Sequence, residues 1–253
     1  MPRYVLRVEY DGAPFVGWQR QPEGLSVQQA IEEAAAHLAG GAAVEATAAG
    51  RTDSGVHAAA QVVQIDLARE IDPGTLRDAL NFHLRPHPVS VLAAGLAPEG
   101  FHARFSAIGR AYRYRILDRR SPPALARGRV WHVTRPLDDA AMHRAAQALV
   151  GRHDFSSFRA ASCQASGPVR TLARLDVARE GEEIVIAAAA RSFLHHQVRN
   201  MAGTLKRVGE GVWTEADVAR ILAAADRRLA GQTAPPEGLT LTGVTYPEGL
   251  CPV

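Results

Sequence analysis

The stretch Ala42–Leu67, AAVEATAAGRTDSGVHAAAQVVQIDL, decides the fold. A short strand is predicted near Ala42 to Ala48 and another at Gln61 to Leu67, where Val63, Ile65 and Leu67 share one face of a period-two pattern. A polar connection punctuated by glycine joins them, from Ala49 to Ala58. Upstream, Tyr4, Leu6, Val8 and Tyr10 alternate with Val5, Arg7 and Glu9 as a strand. Ser26 with Gln29 three residues later then reads as a capping box for a helix carrying Val27, Ala30, Ile31, Ala34 and Leu38 as far as Gly40-Gly41. Downstream, Asp72-Pro73 opens a second helix with Leu76, Ala79 and Leu80, and Val89 to Leu92 reads as a fourth strand. The order β-α-β-β-α-β is the split pattern of a ferredoxin-like unit.

The second half repeats the theme. Tyr112, Tyr114 and Ile116 alternate with Arg113 and Arg115 as a strand, and Asp138 caps a helix with Ala141, Met142, Ala145 and Leu149 inward. Strands at Leu172 to Arg179 and Ile184 to Arg191 are predicted to form a hairpin through Glu180-Gly181-Glu182. A helix with Val198, Met201, Ala202 and Leu205 follows, then one capped by Thr214 with Val218, Ile221 and Leu222, and a last strand near Leu241 to Tyr246. The expected class is α+β: two tandem ferredoxin-like, RRM-like halves joined as a continuous mixed, mostly antiparallel sheet, with helices on one face and an open cleft on the other. The expected division is residues 1–105, which carry the Asp53 loop, and 106–253, which complete the cleft. Pro98 to Ser106 would link the halves, and Asp118 to Gly128 would be an arginine-rich surface loop.

Composition bounds the function. The 253 residues, 47% hydrophobic and 22% charged, match ordinary globular usage rather than disorder or a disulfide-stapled miniature. No apolar run approaches the roughly 18 to 20 residues of a membrane-spanning helix. The N-terminus places charges where a secretory signal is apolar, so a cytoplasmic location is expected. Cys163 and Cys251 are far apart with no metal-ligand spacing, and Walker, GxGxxG and GxSxG patterns are absent. His195-His196 lacks acidic partners at ligand spacing and is read as two side chains diverging on a helix, so no metal is expected. Lys206 is the only lysine, which leaves arginine as the basic group. Its planar, permanent charge suits phosphate and base contacts, so nucleic acid enters as a candidate partner.

The reactive candidates lie in the β-β connection, where Gly50-Arg51-Thr52-Asp53-Ser54-Gly55-Val56-His57-Ala58 gathers polar groups between two glycines. Taken alone, an Asp beside Gly is more often an Asx turn. A carboxylate nucleophile shielded from water needs a compensating cation, and Arg51 on the same side or Arg199 from the other half are candidates. Tyr112 and Tyr114 share a strand face suited to base stacking, with Arg113 and Arg115 opposite. Core packing of the tyrosines fits equally well. Phe101-His102-Ala103-Arg104-Phe105-Ser106 interleaves aromatic and basic groups just before them.

Together these residues resemble the tRNA pseudouridine synthase A family. The likeness runs nearly end to end: Tyr10-Asp11-Gly12 with Phe15 and Gly17-Trp18-Gln19, the Gly50 to Ala58 signature, Phe101 to Ala107, Tyr112-Arg113-Tyr114, Gly151 to Phe155 with Ser157-Phe158-Arg159, Phe193 to Asn200, and Gly238 to Leu241. The resemblance implies the pseudouridine synthase fold and an enzyme that isomerises uridine to pseudouridine at tRNA positions 38, 39 and 40 of the anticodon stem-loop. It further implies a homodimer without cofactor or metal. Under it Asp53 is the nucleophile, attacking either the ribose C1′ or the uracil C6. Tyr112 stacks on the target base, Arg199 partners the nucleophile, Arg51 helps displace the base, and His57 and Arg104 contact substrate. A synthase for another RNA, or a noncatalytic RNA-binding protein, are the alternatives.

Overall fold

The computed structural model describes all 253 residues. Ten strands, mostly antiparallel, and five α-helices make it a mixed α+β chain, as its patterning predicts. It divides into two compact units, residues 1–110 with 241–253, and residues 111–240.

The first unit holds β1 (Arg3–Tyr10), α1 (Val27–Leu38), β2 (Ala46–Ala48), β3 (His57–Asp66), α2 (Pro73–His83) and β4 (Val89–Leu96). β1 sits between β4 and β3, antiparallel to both, with Tyr4 opposite Ile65 and Leu6 opposite Val63. The short β2 pairs with β3, completing the ferredoxin-like arrangement. Ser26 and Asp72 cap α1 and α2 through bonds from the N–H groups of Gln29 and Thr75. Only half of the expected capping box forms at Ser26, because the Gln29 side chain turns to Glu33 instead.

Among the boundaries that differ from the sequence expectation, the start of β3 and the extent of the first unit share one reason. β3 begins at His57, four residues early, and its alternate positions are buried on both faces. Val62 and Val5 lie beneath Phe101, Ala103 and Ala49, and Val244, Tyr246, Leu250, Cys251 and Val253 close over them. The face opposite the helices is therefore covered at this end rather than open. Residues 241–253, assigned by sequence to the second half, belong to the first unit. Their last strand, β10 (Leu239–Thr245), lies beside β3, and the Tyr246 hydroxyl donates to the Ala103 carbonyl at 2.6 Å. A strand that supplies a missing cover is held by what it buries.

The second unit holds β5 (Gly109–Leu117, from Ala111 on), β6 (Trp131–His132), α3 (Asp139–Gln147), β7 (Gly151–Asp154), β8 (Val169–Glu180), β9 (Glu183–Ala190), α4 (Gln197–Gly209) and α5 (Glu215–Ala224). Its strands run β5-β9-β8-β7, with β6 parallel to β5. The predicted hairpin forms at Gly181, whose φ of +61° suits glycine. The predicted cap at Asp138 and the capping box between Thr214 and Asp217 are both present. Most of the expected surface loop from Asp118 to Gly128 is exposed, but Asp118 at its start is not. It is buried and accepts from both terminal guanidinium nitrogens of Arg179 at 2.8 Å, which holds its carboxyl below the usual range although burial alone would raise it.

Candidate active site

In the first unit, the turn carrying Asp53 is fastened along its length. Its start is tied to β3, where Ala49 N–H donates to the Val62 carbonyl at 2.8 Å and the Gln61 amide donates to the Gly50 carbonyl at 2.8 Å. Thr52 is buried, its hydroxyl 2.7 Å from that of Tyr10 and its carbonyl accepting from Trp18 N–H at 2.9 Å. Burial pushes the Tyr10 phenol up to about 12, so it remains a neutral hydrogen-bonding group. Val56 N–H closes the turn onto the Asp53 carbonyl at 3.1 Å, and the Ser54 hydroxyl reaches the Phe15 carbonyl at 3.3 Å. Asp53 itself is half-buried at the crest.

The ledge beneath explains the glycines of the N-terminal motif. A Cβ on Gly12 would fall 2.1 Å from the Val56 carbonyl oxygen. Gly17, at φ +112°, would set a Cβ 2.9 Å from the Thr52 carbonyl oxygen. Only glycine allows the two backbones this close. A buried His57 adds a strut: its Nδ1 accepts from Gly12 N–H at 3.0 Å. The Asp11 carboxylate is also 3.0 Å from Nδ1, but it accepts from Ala13 N–H at the same distance. An N–H can only donate, so Nδ1 acts as acceptor. At 3% exposure, His57 anchors the loop and shows almost no surface.

Arg51, two residues before Asp53, is exposed. A residue that the sequence reading missed does more for the loop. The Arg110 guanidinium donates to the carbonyls of Ala49 (2.6 Å), Arg104 (2.9 Å) and Ala107 (3.2 Å), tying the Asp53 turn to the segment before β5. On that segment Arg104 and Phe105 stand exposed, with the guanidinium 5.8 Å from the ring centroid. His102 Nδ1 accepts from both of their N–H groups. An arginine at the start of a strand was a weak signal, since its partners are backbone atoms that no pattern encodes.

In the second unit the two tyrosines of β5 have different surroundings. Tyr114 is fully buried, and its hydroxyl donates to the Pro235 carbonyl at 2.8 Å, with Gly238 leaving room for its ring. Burial drives its phenol well above the ordinary range. Tyr112 is half-buried and meets Phe193 edge-on, with ring centroids 5.2 Å apart. Arg113 and Arg115, placed opposite the tyrosines by the strand period, are paired with Glu180 and Glu183. Cross-strand carboxylates on the β8–β9 hairpin claim them.

Arg199 lies in the first turn of α4 and is braced twice against Ala234: its Nε donates to that carbonyl at 2.8 Å, and Ala234 N–H donates back to the Arg199 carbonyl at 3.1 Å. His195 and His196 are not on the helix. His196 precedes it in the left-handed conformation at φ +62°, which brings the two rings to 4.0 Å instead of letting them diverge.

A family model described as tRNA pseudouridine synthase matches residues 7–106 and 145–247. The chain belongs to that family. Its matched segments include the Asp53 turn, Arg104, Arg199 and the returning β10. Relatives named tRNA pseudouridine synthase A align along nearly the whole length. That of Acidiphilium cryptum is 61% identical over 247 residues, 97% of each chain. That of Rhodospirillum centenum is 61% identical over 246 residues, 97% of this chain and all of its own. That of Mesorhizobium japonicum is 56% identical over 249 residues, 98% of this chain and all of its own. The tRNA pseudouridine synthase family thus accounts for both units. No helix is long and apolar enough to cross a membrane.

Proposed function

We propose that the chain is a tRNA-modifying isomerase that converts uridine to pseudouridine at positions 38, 39 and 40 of the anticodon stem-loop, with Asp53 as nucleophile. Family membership supports the reaction class. The observation that carries the residue assignment is the Asp53 turn, in which backbone, Thr52 and two glycine contacts hold one half-buried carboxylate at a fixed crest. Fixed placement of a reacting group is the main lever available to an enzyme without a reactive cofactor.

The isomerisation breaks the bond between uracil N1 and ribose C1′, turns the base, and forms a bond from C5 to C1′, after which C5 loses its proton and N1 gains one. No electrons leave or enter. The Asp53 carboxylate supplies a covalent hold during the exchange, at C1′ or at C6. Tyr112 stacks on the target base, and its edge contact with Phe193 fixes the ring for that task. Arg199, clamped at Ala234, supplies fixed positive charge for the reaction. Arg51, which is exposed, takes the place of a uridine drawn from its stem, and Arg104 contacts RNA backbone. His57 serves the loop rather than the RNA. The enzyme works in the cytoplasm as a homodimer.

Release of tritium from C5-tritiated uridine in tRNA transcripts, with the product positions mapped, tests this assignment. Release that depends on Asp53 and maps to the anticodon stem-loop is the expected result. Release at other sites would redirect the enzyme to a different RNA target, and tight binding without release would leave a noncatalytic RNA-binding protein.

A further inference from the structure

Apart from the Asp53 turn, the second unit carries an open pocket of about 490 Å³, lined by Ser156 and residues 159–161 on one side and residues 225–227 on the other. Its charge is unbalanced. Arg227 is half-buried, and its guanidinium donates to neutral oxygens: Asn200 Oδ1 at 3.0 Å, Thr233 Oγ1 at 3.1 Å and the Ala230 carbonyl at 3.4 Å. Arg159 donates to the carbonyls of Cys163 and Ala165 at 2.8 and 2.7 Å, beside the Cys163 thiol, and also meets no carboxylate. The one acid on the rim, Asp226, is taken up by Arg228, at 3.0 Å from its Nε and 2.6 Å from its Nη2. Sheltered charges are normally paired, so two arginines without an acid point to a partner that comes from outside.

We propose that this pocket binds a phosphate of the RNA substrate, at a nucleotide other than the one that reacts. The proposal rests on the tRNA reading above and extends it to a second contact point. A guanidinium fork matches two phosphate oxygens, and two arginines flanking one pocket supply both charge and geometry. The pocket is wired to the start of α4. Ala160 N–H donates to the His195 carbonyl at 3.0 Å, and Asn200, next to Arg199, accepts from Arg227 while donating to the Phe158 carbonyl at 2.8 Å. A phosphate seated between Arg159 and Arg227 therefore registers the RNA backbone against the same segments that hold Arg199.

The test uses the full chain and a fluorescein-labelled tRNA transcript, with dissociation constants measured across a salt series. Arg159→Gln should weaken binding about five- to tenfold and lower the slope of log K against log salt by about one. Because Arg159 also braces its loop, Ala161→Glu provides an independent variant: it adds a negative charge at the exposed rim and removes no hydrogen bond. It should weaken binding about as much, while Ala161→Gln stays within about twofold of the parent. Parental affinity and slope in both Arg159→Gln and Ala161→Glu would overturn the proposal. So would displacement of titrated inorganic phosphate by Ala161→Glu without any change in tRNA affinity, which would mark a free-anion site. Pocket-sensitive tRNA binding in a parent that makes no pseudouridine would uphold the pocket and sink the isomerase assignment. Pseudouridine formation with pocket variants equal to the parent would do the reverse.

Discussion

The hydroxyl of Tyr10 at the end of β1 stands 2.7 Å from that of Thr52, the residue before Asp53. Both are buried, so a strand of the sheet core sets the position of the turn from below. Tyr10→Phe should leave Thr52 with an unmatched hydroxyl and lower stability by about 1–2 kcal/mol. Turnover should fall about tenfold with little change in KM, because the change is in positioning. Thermal melts and steady-state kinetics check both, and an unchanged kcat would remove Tyr10 from the positioning network.

Asp53→Ala should abolish pseudouridine formation while tRNA affinity stays within about tenfold of the parent, since the loss falls on the chemical step. Turnover near the parent rate in the tritium-release assay would sink Asp53 as nucleophile.

Gly17→Ala should act like a damaged nucleophile without touching it. The new Cβ meets the Thr52 carbonyl from a backbone at φ +112°, so either the ledge or the turn must shift. A loss of about 2 kcal/mol in stability, and a fall in kcat of at least about a hundredfold, are expected. Urea unfolding and single-turnover rates measure the two effects separately.

Tyr112 and Tyr114, two residues apart on β5, should respond in opposite ways. Tyr114→Phe removes a buried donor to Pro235 and should cost about 1 kcal/mol while kinetics stay near parental. Tyr112→Ala should move the melting temperature little and cut turnover by at least about a hundredfold. Equal kinetic losses for both would argue against a base-stacking role specific to Tyr112.

Stability should decline on the alkaline side. Burial raises Tyr10 from 10.0 to about 12, and it raises Tyr114 and Tyr246 in the same direction. Between the unfolded and folded values the native state holds more protons than the unfolded chain, so unfolding becomes easier as pH climbs. For Tyr10 the contribution is complete below pH 10 and is lost by about pH 12. Denaturant midpoints at pH 9, 10.5 and 11.5 should fall, and Tyr10→Phe should fall less steeply than the parent.

Much of this molecule was legible in its residues, because strand and helix periods are local. The caps at Ser26, Asp72, Asp138 and Thr214 fixed helix starts from side chains a few positions away. What escaped depends on partners distant in sequence. Arg113 and Arg115 looked available until Glu180 and Glu183 came across from the hairpin. His195 and His196 looked helical until the left-handed turn at His196 set them before α4. The four-residue β7, Gly151–Asp154, is too short and polar to announce itself and exists through its pairing with β8. In the site, Asp53 stood out by its glycines, whereas Arg110 and Tyr10 act through backbone and buried contacts that no motif shows.

The first unit is discontinuous, and this has a consequence for how the protein is born. Tyr246 and Val244, which cover Phe101 and Val5, are translated more than a hundred residues after the Asp53 turn. Until the residues from Leu241 onward have emerged from the ribosome, the sheet beneath that turn lacks its cover, and the nascent chain must wait with Val5 and Val62 facing water. A growing polypeptide thus cannot finish building its nucleophile-bearing half before the intervening unit has been made, so competence arrives late in synthesis and partial products are left without it.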